Sequence, residues 1–113
     1  SRAMNQKIWE LFEAKKILLR DLKTIDTKKF CSKKTLEIFW GVDEKKFYNL
    51  IFLRTAKSRL LRKEALELEE ICKKIETKFQ ISLKKKIIFY SSEICSKALK
   101  ELQNSNWRCY DFM

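Results

Sequence analysis

Thr35-Leu-Glu-Ile-Phe-Trp40, Gly41-Val-Asp-Glu-Lys-Lys46 and Phe47-Tyr-Asn-Leu-Ile-Phe-Leu53 form the continuous stretch that decides between a sheet and a bundle of helices. Both flanks are dense in β-branched and aromatic residues, and the chain's one glycine lies between them, which is a hairpin signal. The rival reading is continued helix, because Leu36, Phe39 and Trp40 also share a helical face. With the hairpin, the rest of the chain has to supply elements that cover a sheet.

Upstream, Ile8, Leu11, Phe12, Leu18, Leu19 and Leu22 recur at three- and four-residue spacing, so Gln6 to about Lys23 reads as one amphipathic helix. Asp26 to Lys34 is polar and basic and reads as a connection. Downstream, Leu61, Ala65, Leu68, Cys72, Ile75 and Phe79 step by four and three, a narrow apolar stripe on a long helix from about Ser58 to Phe79. Lys86–Tyr90 then reads as a strand, Ser92 as the N-cap of a helix over Glu93–Gln103, and Trp107–Phe112 as a last strand. A strand–helix–strand unit pairs its strands in parallel. The expected fold is therefore α+β, in the order helix, hairpin, helix, strand, helix, strand. It comprises three helices and about four strands, a mixed sheet with helices packed on it.

With 113 residues, 45% of them hydrophobic, no proline and no low-complexity linker, the chain suits one core and one domain. Ser1-Arg2-Ala3 reads as a cloning remnant ahead of a natural start at Met4, leaving 4–113 as a single basic domain. No signal-peptide pattern follows Met4. The apolar runs Tyr48–Leu53 and Ile87–Tyr90 are too short for a bilayer core of about 30 Å, so the expectation is a cytoplasmic protein without a membrane span. Cys31, Cys72, Cys95 and Cys109 are widely separated, no C-x-x-C occurs, and there is no His. Free thiols, no metal site and no cofactor are expected.

The 26 Lys and Arg against 15 Asp and Glu give a formal charge of +11. An AT-rich coding bias accounts for Lys outnumbering Arg but leaves net charge untouched, so the excess of cations points to a polyanionic partner. Nucleic acid, DNA or RNA, ranks first; an anionic membrane surface or an acidic protein ranks second, with self-association a further option.

Within that charge, Arg54-Thr-Ala-Lys-Ser-Arg-Leu-Leu-Arg-Lys63 places five cations at the start of the long helix, where unpaired backbone N–H groups already carry positive charge. Lys63 can reach Glu67, and Glu69–Lys73 and Glu70–Lys74 are well-placed pairs, whereas Arg59 and Arg62 have no acid three or four positions on. Arg54, Thr55, Lys57, Ser58, Arg59, Arg62 and Lys63 are thus the candidate phosphate-binding residues, against the alternative that they are solvated or paired elsewhere. Lys84, Lys85 and Lys86, with Lys28-Lys29 and Lys33-Lys34, are candidates for additional basic surface. Trp40, Tyr48 and Trp107 suit either base stacking or the core.

Two family resemblances bear on function. Cys95, at the first turn of a helix after the strand in Ile87-Ile-Phe-Tyr-Ser-Ser-Glu-Ile-Cys95, resembles the cysteine of thioredoxin-fold reductases such as the arsenate reductases. That likeness covers only Lys86 to Phe112 and lacks a second nearby cysteine, which leaves Cys95 as a small packing residue. The element order resembles the core of the restriction-endonuclease-like nucleases, which implies an acidic residue near the hairpin and a Glu-x-Lys on the next strand to hold a divalent cation. Asp43 or Glu44 suits the first position, but Phe47–Leu53 contains no carboxylate, so the resemblance implies binding rather than cutting. The expected function is nucleic-acid binding through a basic helix start, without catalysis. The alternatives are an adaptor or chaperone-like protein docking an acidic partner, and a catalytically inactive nuclease-like domain.

Overall fold

Leu36–Val42 (β2) and Tyr48–Arg54 (β3) form the antiparallel hairpin, in unbroken register from Leu36 opposite Arg54 to Val42 opposite Tyr48. Its glycine is not in the turn. Gly41 sits in β2 opposite Asn49, where a Cβ would come within 3.1 Å of the Leu19 Cβ, so it is small to admit the neighbouring chain. The reversal itself is made by Asp43–Phe47, with Lys46 in the left-handed region at φ 67°. That is a type I turn followed by a left-handed residue, a common hairpin connection.

The computed structural model describes residues 2–112, with side chains described from Gln6 onward. Besides the hairpin it contains α1 (Arg2–Ala14), β1 (Arg20–Ile25), a short 3-10 turn (Thr27–Lys29), α2 (Arg62–Phe79), β4 (Lys85–Tyr90), α3 (Ser96–Asn104) and β5 (Trp107–Asp111). The five strands lie in the order β1-β2-β3-β4-β5; β1, β2 and β3 pair antiparallel, while β3, β4 and β5 pair in parallel. The α+β class, the mixed sheet and the three helices match the sequence reading. Of the expected cloning remnant, Ser1 lies outside the described residues, and Arg2 and Ala3 belong to α1. No described helix is long and apolar enough to cross a membrane.

Three boundaries differ from expectation. The single helix over Gln6–Lys23 is two elements: α1 stops at Ala14, Lys16 turns left-handed at φ 56°, and β1 pairs along the outer edge of β2. Pairing wins there because it satisfies the backbone groups of β2, and the helical spacing of Leu18 and Leu22 is incidental; Leu18 is 69% exposed. The long helix begins at Arg62 rather than Ser58, because Leu60 is held as a parallel bridge to Ile94. Its neighbour α3 begins at Ser96, capped by the Cys95 thiol rather than by Ser92.

Strand alternation divides the core between the two faces of the sheet. Ile38, Leu50, Phe52 and Ile88 face α2 and α3, packing on Leu68, Cys72, Ile75 and Leu102. Phe39, Ile51, Leu53, Ile87 and Phe89 face α1, packing on Ile8, Leu11 and Phe12. All four cysteines are free.

Candidate nucleic-acid interface

The parallel strands β3 and β4 end side by side, Arg54 beside Tyr90, and the chain leaves each of them into a loop that leads to a helix. Ligands of open α/β sheets favour this carboxyl edge. Hydrogen bonds from Leu60 N–H to Glu93 C=O (2.8 Å) and from Cys95 N–H to Leu60 C=O (3.0 Å) stitch the two loops together. The starts of α2 and α3 are thereby held next to each other.

Arg54 does not face outward as a phosphate ligand. It is 1% exposed and its five N–H groups are all used internally: Nε and Nη2 on the Glu64 carboxylate (2.7 and 3.0 Å), Nη1 on Ser92 Oγ (2.7 Å) and Ala56 C=O (3.3 Å), and Nη2 on Ser58 C=O (3.1 Å). Its place at the end of β3, under the loop it closes, makes it the clamp that shapes the edge. Thr55 is committed as well, its hydroxyl donating to Thr35 C=O at 3.2 Å. Ser58 contributes its carbonyl to Arg54, and its side chain is exposed.

The remaining candidates are presented at the surface. Lys57, Arg59, Arg62 and Lys63 are exposed; the Lys57 ammonium lies 3.3 Å from Ser91 Oγ, and Arg62 meets Glu101 of α3 at 3.5 Å across a water-exposed gap. Such an exposed pair contributes little and leaves the guanidinium available. Lys63 does not pair with Glu67, which reaches Lys33 at 3.8 Å instead, and Lys73 pairs with Glu70 three residues back. Lys97, in the first turn of α3, joins the same edge, a neighbour that no linear spacing could announce.

Electrostatics at this edge are read by Cys95. Its Sγ accepts from the Ala98 N–H at 3.3 Å. That bond, opposed by some burial and assisted by the N–H groups of Arg62 and Lys97 and by the Arg59 charge, lowers the thiol pKa below its ordinary value. Backbone donors of both helix starts and a surface cation thus converge on one point, a geometry that favours anions.

Lys84, Lys85 and Lys86 lie elsewhere. β4 runs from Lys85, beside Asn49, to Tyr90, beside Arg54, so these lysines are separated from the helix starts by roughly 17 Å at about 3.3 Å per residue. Lys85 pairs with Asp43 at 3.2 Å, Lys86 lies 5.6 Å from the centre of the Trp107 ring, and Lys84 is exposed.

The residues present do not fit the divalent-cation site that the nuclease resemblance implies. Asp43 is occupied in the hairpin turn: Oδ1 accepts from Lys45 N–H (2.9 Å) and Phe47 N–H (3.0 Å), and Oδ2 from the Asn49 amide (3.2 Å) as well as Lys85. Partial burial works to raise its pKa, but the Phe47, Asn49, Lys85 and Lys45 bonds prevail and bring it down to about 2. β3 carries no carboxylate, and Glu37, the acid within β2, stands opposite Leu53 with its pKa raised by burial. Among the described residues no three His, Cys, Asp or Glu side chains gather as metal ligands would.

No family model matches the chain, and no curated protein matches it in sequence. Among solved structures it is similar to EndoMS in apo form, with 13% identity over 95% of this chain and 45% of that one and a TM-score of 0.59. It is also similar to the EndoMS-dsDNA2 complex (14% identity, 96% and 44% covered, TM-score 0.52). A third likeness is to a repair endonuclease from Pyrococcus abyssi (13%, 99% and 46%, TM-score 0.56). The chain spans less than half the length of these proteins. At such identities the likeness is one of fold: the sheet and helices described above have the architecture found in these endonucleases.

Proposed function

We propose that this chain is a non-catalytic nucleic-acid-binding domain on a repair-endonuclease-like fold, gripping phosphates where α2 and α3 begin. The carrying observation is the convergence at one edge of two helix starts with exposed Lys57, Arg59, Arg62, Lys63 and Lys97. A neighbour of the same fold has been solved with double-stranded DNA, which supports the partner class. The misfit of Asp43, Glu37 and β3 to a divalent cation supports binding without cleavage.

The test is a pair of charge reversals of equal size. Arg59→Glu with Arg62→Glu should reduce affinity for a mixed-sequence duplex at least tenfold, while Lys74→Glu with Lys84→Glu, on exposed positions away from this edge, should do far less. Lys85 is unsuitable as a control because reversing it breaks the contact with Asp43. Equal losses from the two pairs would leave only diffuse attraction.

A second reading, docking of an acidic protein, is favoured by Leu61, 53% exposed among the cations at the start of α2. Failure of wild type to bind any nucleic acid at low salt would select it.

A further inference from the structure

At the opposite end of α2, four aromatic side chains lie in a row, two of their contacts tilted and the last one stacked. The Phe30 ring lies 6.2 Å from Phe79, Phe79 lies 5.1 Å from Trp40, and Trp40 lies 5.4 Å from Tyr48 with the two planes only 19° apart. The row draws on the segment after β1, the last residue of α2 and both strands of the hairpin. It is not closed off from water, since Tyr48 is 41% and Phe79 38% exposed. Trp40 covers one face of the Tyr48 ring, and among the described residues no second aromatic pairs with Tyr48.

A groove of about 410 Å³ runs beside Trp40 and Tyr48, walled by Asp21, Leu22 and Lys23 of β1. It exists because β1 is bulged there: the register shifts between Arg20 and Lys23, and Asp21 takes φ 53°. The volume lies within the roughly 300–1,000 Å³ typical of small-molecule sites.

The charge around the groove says what fits it. Lys23 stands opposite Trp40 and Arg20 opposite Val42; Lys46 leads into Tyr48 from the turn, and Lys78 precedes Phe79. All four are exposed, and none is in an ion pair among the described residues. The lining itself holds one acid, Asp21, and one cation, Lys23, so the excess of positive charge comes from Arg20 and Lys46, near it in the chain, and from Lys78, next to Phe79. A second copy of a chain with net charge +11 is disfavoured by repulsion, whereas a flexible polyanion with flat apolar rings matches both features.

We infer that this groove binds unpaired nucleotides of a single-stranded nucleic acid, one base extending the aromatic row on the face of Tyr48 away from Trp40 and the flanking phosphates meeting Lys23, Arg20 and Lys46. Preference among bases is weak, because every base has a π-face. The inference rests on the nucleic-acid reading above and adds to it a second site and its ligand.

The test compares wild type, Tyr48→Ala and Tyr48→Phe by fluorescence anisotropy with a labelled oligothymidylate and, separately, a labelled duplex. Tyr48→Ala should weaken the single strand roughly 5- to 150-fold, the range expected for one lost stacking contact, and leave the duplex within about twofold. Tyr48→Phe, which keeps the ring, should behave as wild type. Circular dichroism and melting establish that each variant is folded. Should Tyr48→Ala not fold, Trp9→Phe protein, in which Trp40 and the buried Trp107 remain, provides a further readout: oligothymidylate should quench the Trp40 part of the emission, duplex should not, and the Trp107 part should stay constant with both. Retained single-strand affinity in folded Tyr48→Ala, equal loss on both ligands, or absence of quenching overturns the groove while duplex binding still stands. Absence of binding to either ligand at low salt overturns the wider reading and the groove with it.

Discussion

Arg54 and Glu64, ten residues apart, meet in a two-pronged pair at 2.7 and 3.0 Å, with the guanidinium closed off from water. Removing one partner of a buried pair leaves a charge without compensation, which costs about 3–5 kcal/mol. Glu64→Gln should therefore lower the urea midpoint strongly. Arg54→Lys should fare no better, since an ammonium cannot reproduce the five-donor fork that also reaches Ser92, Ala56 and Ser58. Unfolding midpoints near wild type for either variant would show that the clamp is dispensable.

Duplex affinity should fall linearly as log salt rises, with a slope of about −0.9 for each phosphate contacted. Arg59→Glu with Arg62→Glu should flatten that slope by about two contacts, and Lys74→Glu with Lys84→Glu should leave it nearly unchanged. Titrations at several salt concentrations decide it; an identical slope in all three proteins argues that neither arginine touches phosphate.

Thiol reactivity reports the field at the same edge. Cys95, with its pKa lowered, should alkylate first near neutral pH, while burial pushes Cys72 and Cys109 up to about 11 and keeps them slow. Because the Arg59 charge is among the causes, Arg59→Glu should slow Cys95 alkylation. Site-resolved mass spectrometry over a time course reads both effects, and labelling of Cys72 ahead of Cys95 would contradict them.

Asp43 gives an acid limb to stability. Its pKa falls from 3.8 to about 2 on folding, so its ionised form supports the hairpin fully above about pH 4 and loses that contribution as the pH drops through about 2. The difference in melting temperature between wild type and Asp43→Asn should be widest above pH 4 and should close toward pH 2. A difference that stays constant over that interval would rule out the linkage.

What could be read from the chain depended on whether the deciding contact was local. The hairpin, α2 and the last strand–helix–strand advertised themselves through aromatic density and regular apolar spacing. β1 did not: Ile25 is its one buried residue, so no two-residue alternation exists, and Leu18 and Leu22 prolong the spacing of α1 by coincidence. At the candidate site, the exposure of Arg62 follows from its lying off the apolar stripe of α2, whereas Arg59 is exposed in the loop before that helix. The fate of Arg54 was not legible, because Glu64 and Ser92, ten and thirty-eight residues on, converge only in the folded chain. Lys97 joined the edge through the same three-dimensional route. The aromatics divided: Trp107 is 3% exposed and belongs to the core, whereas Tyr48 is 41% exposed.

The strand order β1-β2-β3-β4-β5 repeats the order of the chain. Every strand therefore pairs with the one synthesised just before it, and none has to be threaded between two that are already in place. The sheet can extend from one edge as the chain lengthens, so that each arriving strand meets a ready template and masks it in turn. The antiparallel pairings of β1, β2 and β3 join strands close in sequence, which favours rapid folding, whereas the parallel pairings, Asn49 with Lys85 among them, span a helix and close more slowly. Growth of this kind also shortens the time that an unpaired, apolar edge such as β3 or β4 stands open to a neighbouring nascent chain.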